Sequence, residues 1–221
     1  MTEPKSYSRY STHKQCGAKY KFRYVDKVKV LGSTQHAAAG RGTLIHKAVE
    51  DFVNGDRTDL ILEECPALEG YTEFFAQVRD LGAVPEVEFK MNAAWECDDE
   101  NPDKRGFIDM LLVHGDTLYI YEFKTGKVYD EHVDQAHFYA TVGFSLYPEC
   151  TTAEVMRIYF DQGETHENQY DRNRLPTYQH LWDTRFSVMD DPRSYAARPS
   201  FLCRWCDYAK DNGGPCAFSG S

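Results

Sequence analysis

Residues 105–127 read RGFIDMLLVHGDTLYIYEFKTGK. Two apolar runs flank Gly115-Asp116, the pattern of a β-hairpin closed by a two-residue turn with glycine first. With those two residues in the loop, Asp109 falls opposite Glu122, close enough for cross-strand contact. Lys124 stands two residues beyond Glu122, so the period of two puts it on the same face. Toward the turn that face carries Leu111, Val113, Leu118 and Ile120. At its open end stand two carboxylates and an amine.

Like charges side by side on an apolar sheet face repel each other and lose hydration. A divalent cation between them removes the conflict, and hard oxygen ligands favour Mg2+ or Mn2+. Lys124 is then placed to orient or deprotonate a water, or to stabilise charge building on a phosphate. The competing reading is an exposed edge hairpin with an ordinary Glu–Lys face.

The chain of 221 residues suits one domain with a small appendage and is long enough to bury a substantial core. No apolar run reaches the roughly 18 residues of a membrane span. The opening MTEPKSYSRYSTHKQC has no hydrophobic signal region, so a cytoplasmic setting is expected. There structural disulfides are disfavoured, and clustered members of the seven cysteines point first to metal. The net charge of −10 argues against coating nucleic acid through bulk charge. Its distribution is uneven: residues 1–30 hold eight basic and two acidic groups, which leaves −16 on the remainder. A basic patch on an acidic body is compatible with phosphate contact at one place, and equally with a solvated helix face.

Periodicity predicts a helix over 8–24, capped by Ser8 or Ser11, then a weak strand or extended link over 25–31 and a small-residue loop over 32–39. A helix over 40–54 ends at Gly55; its apolar stripe includes Leu44, Ile45, Ala48, Val49 and Phe52, and His46 faces inward with it. Further helices are expected over 68–81, 130–146 and 175–189, and strands over 84–91, 153–161 and 166–172. Residues 92–104 and 198–221 read as loops. Glu88 is either an extra acid near the hairpin site or an exposed strand charge. The order of elements suggests an α/β domain with a mixed sheet between helices.

His46 in GRGTLIHKAVEDF, Asp109 in GFIDMLL, Glu122 to Lys124 in YEFKTGK, QAHFY at 135–139 and the opening SYSRYSTHKQCGAKYKFRY stand in a familiar order. They resemble the PD-(D/E)XK nuclease superfamily, and within it the RecB-type branch, over nearly the whole chain. The tail cysteines resemble its iron–sulfur members, small CRISPR-associated and phage exonucleases among them. The resemblance implies a restriction-endonuclease-like core, a central mixed sheet flanked by helices, with the cysteine-bearing tail packed on the N-terminal helix. The whole chain, 1–221, is then one nuclease domain, with 1–30 and 198–221 forming a metal-cluster appendage.

The same resemblance implies Mg2+ or Mn2+ held by His46, Asp109, Glu122 and the carbonyl of Phe123. Asp109, Glu122 and Lys124 are the catalytic set, and Gln135 and Tyr139 contact the DNA backbone. Cys16, Cys203, Cys206 and Cys216 are the thiols of a [4Fe–4S] cluster, with structural zinc as the alternative. The nine-residue gap between the last two is longer than usual in that group. The function expected is a metal-dependent deoxyribonuclease, an exonuclease on DNA ends or single strands. Protein partners in recombination, replication or CRISPR adaptation are compatible with it. The alternative is a catalytically inactive DNA-end or partner-binding module of the same fold.

Overall fold

The computed structural model describes residues 3–30 and 36–219. The chain divides into two compact units: residues 1–4 with 37–180, and residues 5–36 with 181–221.

The first unit is built on a five-stranded sheet in sequence order. Its strands are β1 (Val84–Met91), β2 (Lys104–His114), β3 (Thr117–Lys124), β4 (Thr152–Tyr159) and β5 (Glu164–Asp171). The β2–β3 hairpin has the register expected: Val113 pairs with Leu118 and Met110 with Tyr121. Gly115 takes φ +63°, the left-handed conformation that a glycine-first turn demands. Pairing is antiparallel except for β3 with β4, which run parallel and are joined by helix α5 (His132–Leu146), so the sheet is mixed.

One face of the sheet is covered by α3 (His36–Val53) and α4 (Thr72–Asp80). Ile45, Ala48, Val49 and Phe52 of α3 and Phe75 and Val78 of α4 pack with Met110, Leu112, Tyr121, Phe123 and Ile158. On the opposite face α5 lies so close that a Cβ at Gly143 would run into Leu118 and Ile120. The face carrying Leu118, Ile120, Glu122 and Lys124 is therefore the one α5 covers.

Helix α3 starts four residues earlier than expected, because Ala37–Ala39 are good helix formers. Residues 32–35 of the expected loop lie outside the described residues. Helix α4 starts later: Pro66–Leu68 is a separate 3-10 turn, cut off by Gly70 at φ +87°.

The second unit holds α1 (Tyr7–Gln15), α2 (Gly17–Tyr20), a π-turn over Lys21–Val25 and the C-terminal tail; α6 (Leu175–Met189) enters it from the first unit. The expected caps Ser8 and Ser11 fall inside α1; the cap is Ser6, whose hydroxyl accepts from the amide of Arg9 at 3.3 Å. Tyr7 and Tyr10 bury against Trp182. The tail packs on α1: Arg198 donates to the carbonyls of His13 (3.0 Å) and Lys14 (2.6 Å), and Ser194 meets His13 at 2.7 Å. No helix among the described residues is long and apolar enough to cross a membrane.

Candidate active site

The ladder between β1 and β2 pairs Pro85 with Met110, skips one step, and resumes with Val87 and Ile108. The skipped step is Glu86 opposite Asp109. Glu86 has φ +48°, a region few non-glycine residues occupy, at a cost of about 1–3 kcal/mol. On the other side of β2, the Asp109 carboxylate accepts from the amide of Phe123 at 2.6 Å, where the next rung of the hairpin would lie. Asp109 thus stands at a fork between strands. His46, nearly three turns into α3, brings Nδ1 to 3.4 Å from Asp109 and 4.0 Å from Glu86. One ligand atom from each of His46, Glu86 and Asp109 falls within 4.8 Å of the others.

Behind this group, Glu122 is 4 % exposed. Its Oε1 accepts from Lys124 Nζ at 2.8 Å and from the Gln135 amide at 2.6 Å. Gln135 closes the triangle, accepting from Lys124 at 2.7 Å, and its amide also reaches the Tyr139 hydroxyl at 3.2 Å. Gln135 and Tyr139 are both buried, one helical turn apart on α5. Lys124 has three N–H donors and uses two here, which leaves one for a water or a phosphate oxygen. Phe123 turns its ring into the opposite core, edge-on to His46 at 5.7 Å.

The electrostatics show strain that a cation would relieve. Burial and then the Asp109 charge push Glu122 up to about 7, although Lys124 pulls the other way. Burial and the Asp109 charge likewise raise Glu86. At His46 burial acts downward, but the hydrogen bond to Asp109 and the charges of Asp109, Glu122 and Glu86 outweigh it and hold the imidazole above its usual value. The Oε2 atom of Glu122 is buried with no hydrogen-bond partner among the described residues. An orphaned carboxylate oxygen beside two more carboxylates and an imidazole is a donor set that fits a hard divalent cation.

The structure therefore brings together His46, Asp109, Glu122, Lys124 and Gln135 from α3, β2, β3 and α5. It adds Glu86, which the sequence reading passed over for its neighbour. Glu88 is exposed instead and pairs with Lys90 at 3.2 Å. Period-two alternation puts Glu86 and Glu88 on one side of a regular strand; the left-handed backbone at Glu86 breaks that rule. Two acids on the strand preceding the hairpin were the available signal, and the interrupted rung decides between them.

In the second unit, Cys16, Cys203, Cys206 and Cys216 line one cavity. The amides of Arg198 and Ser200 donate to the sulfurs of Cys16 and Cys203, each at 3.4 Å. Cys65 and Cys150 are buried elsewhere and Cys97 is exposed.

No curated protein matches this sequence. Among solved structures, that of SSO0001 is similar at 13% identity with a TM-score of 0.51, covering 94% of this chain and 85% of its own, a likeness of fold. A protein from Eubacterium rectale whose name calls it a candidate exonuclease aligns at 11% identity and a TM-score of 0.49, over 92% of this chain and 87% of its own. The family profile described as the PD-(D/E)XK nuclease superfamily matches residues 4–210. With that match over a mixed sheet that gathers an imidazole, carboxylates and a lysine at its forked strands, the chain belongs to the PD-(D/E)XK nuclease superfamily.

Proposed function

We propose that this protein is a metal-dependent deoxyribonuclease of the RecB-type branch, acting as an exonuclease on DNA ends or single strands. The observation that carries the reading is the convergence of His46, Glu86 and Asp109 beside the buried Glu122, which pairs with Lys124 and keeps one carboxylate oxygen unpartnered among the described residues. His46, Asp109, Glu122 and the carbonyl of Phe123 hold Mg2+ or Mn2+, and Glu86 joins them. When bound, the ion supplies a lowered pKa for the attacking water and offsets charge on the phosphorus.

The chain's own groups do the rest. Glu122 and Gln135 fix the Lys124 ammonium, and its remaining N–H orients the water or steadies a phosphate oxygen. The water oxygen forms the new bond to phosphorus as the bond to the leaving sugar oxygen breaks, one water proton passing to solvent and the leaving oxygen taking a proton from it. Gln135 holds Glu122 and Lys124 together, and Gln135 and Tyr139, buried in the free protein, are the groups assigned to the substrate backbone. A non-catalytic binding module has no need of this set.

The four thiols of the second unit hold a [4Fe–4S] cluster in preference to zinc. Their convergence on one cavity and the N–H···S bonds to Cys16 and Cys203 support a thiolate-bound group. A brown colour in anaerobically purified protein reports it.

The test is a time course on end-labelled single- and double-stranded DNA with Mn2+, with Mg2+ and with chelator. Mononucleotides or short products released from ends are expected with metal and none with chelator. Asp109→Asn, Glu122→Gln and Lys124→Met each cut the rate by roughly a hundredfold or more. Full activity in the Lys124 variant overturns the reading.

A further inference from the structure

The second unit exposes large aromatic side chains that its core does not use. Phe201 is 67% and Trp205 57% exposed, at the two ends of the 3-10 turn Phe201–Trp205. Their rings meet edge to face with centroids 6.3 Å apart, and the Arg204 guanidinium lies 4.6 Å from the Trp205 centroid. Leu202 and Phe218, also exposed, stand with Lys19 at the rim of the cysteine-lined cavity. Exposed apolar residues that adjoin one another and are rimmed by polar groups are a mark of interaction sites.

The charge of the molecule selects the partner. The second unit contains thirteen Lys and Arg against six Asp and Glu, a net +7, so the first unit carries −17. Arg23, Lys27 and Lys29 are exposed on the same unit as the aromatic pair. A catalytic unit so acidic repels a polyanion beyond the reach of its own metal, and attraction must come from the basic unit. Exposed rings beside Arg204 on a basic unit match a strand with unpaired bases: bases stack on the rings, and phosphates meet Arg and Lys. A duplex hides those base faces.

We propose that Phe201 and Trp205, with Arg204 and the basic N-terminal segment of the same unit, form a stacking platform for single-stranded nucleic acid. The proposal rests on the nuclease reading for its choice of polymer. It also supplies that reading with a substrate class, strands with unpaired bases.

Trp205 provides its own reporter, because Trp95 and Trp182, the other tryptophans of the three, are 4% and 0% exposed. The experiment titrates the full chain, with no divalent metal added, with an oligothymidylate and with a short duplex. It reads tryptophan emission and, from labelled strands, anisotropy. Expected are quenching by the single strand, weaker binding of the duplex, and a steep loss of affinity with salt. Phe201→Ala and Trp205→Ala each weaken single-strand binding roughly tenfold, whereas Trp205→Phe keeps the affinity by anisotropy and loses the quenching. Thermal midpoint and any cysteine-bound metal are compared with the parent, so that misfolding is recognised. Trp205→Phe and the parent titration stand even if an alanine variant does not fold. Absence of quenching at saturation, or unchanged affinity in both alanine variants, overturns the platform. So does a Trp205→Ala change that splits a self-associated protein without touching strand binding. Cleavage that persists without quenching sinks this proposal alone; quenching without cleavage under any metal sinks the nuclease reading alone.

Discussion

Glu86 combines two costs at one position: a left-handed backbone and a carboxylate pressed against Asp109. A cation recovers the second cost, and neutralising the side chain does so without metal. Glu86→Gln is therefore expected to raise the thermal midpoint of the metal-free protein and to weaken Mn2+ binding about tenfold or more, as read by calorimetry. Unchanged Mn2+ affinity removes Glu86 from the ligand set. Glu122 gives the same site a pH signature. Its folded carboxyl titrates near 7 against an ordinary 4.5, so the stability it contributes is present below about 4.5 and lost as pH rises through about 7. The gain in thermal midpoint on adding Mn2+ should accordingly grow with pH across that window. A metal effect independent of pH contradicts the shared site.

Helix α5 couples the site to the fold. Gly143 lets it approach Leu118 and Ile120, and that approach is what sets Gln135 against Glu122 and Lys124. Its first residue, His132, stacks on Tyr159 with an interplanar angle of 23°, its Nδ1 2.8 Å from the Tyr159 hydroxyl. Burial, then the charges of Lys124 and Arg157, push this imidazole down to about 4. Its contribution to stability is complete above the unfolded value of 6.5 and is lost as pH falls from there toward 4. His132→Phe keeps a ring on Tyr159 and removes the proton. Urea unfolding of that variant should show a shallower loss of stability between about 6.5 and about 4, and an acid limb identical to the parent's would contradict the account. The hairpin register, both strands around it and α6 were legible from alternation and helical periodicity. The interruption at Glu86 was not, because propensity says nothing of a single rung forced out of a ladder.

At the scale of the whole molecule, charge and chemistry are divided between the units. The acidic unit gathers the carboxylates and the imidazole; the basic unit gathers the thiols. The family resemblance implied the four residues, and the fold brings to one cavity groups nearly the whole sequence apart. If they hold a cluster, it closes a very long loop and restrains the unfolded chain strongly. Cys16→Ser and Cys206→Ser are expected to lose the iron and its visible absorbance and to lower the thermal midpoint. A variant with unchanged metal content and midpoint counts against the cluster.

What the sequence determined by itself was local and periodic. Glycine at a tight turn set the hairpin's register, alternation aligned Glu122 with Lys124, and the spacing of Gln135 and Tyr139 placed them one helical turn apart. Tertiary structure alone decided which acid joins His46 and Asp109 and which oxygen of Glu122 is left without a partner. It also turned Gln135 inward onto Glu122 and Lys124. These depend on strands and helices meeting across long stretches of chain, where burial and like-charge repulsion act between residues that no short-range pattern connects.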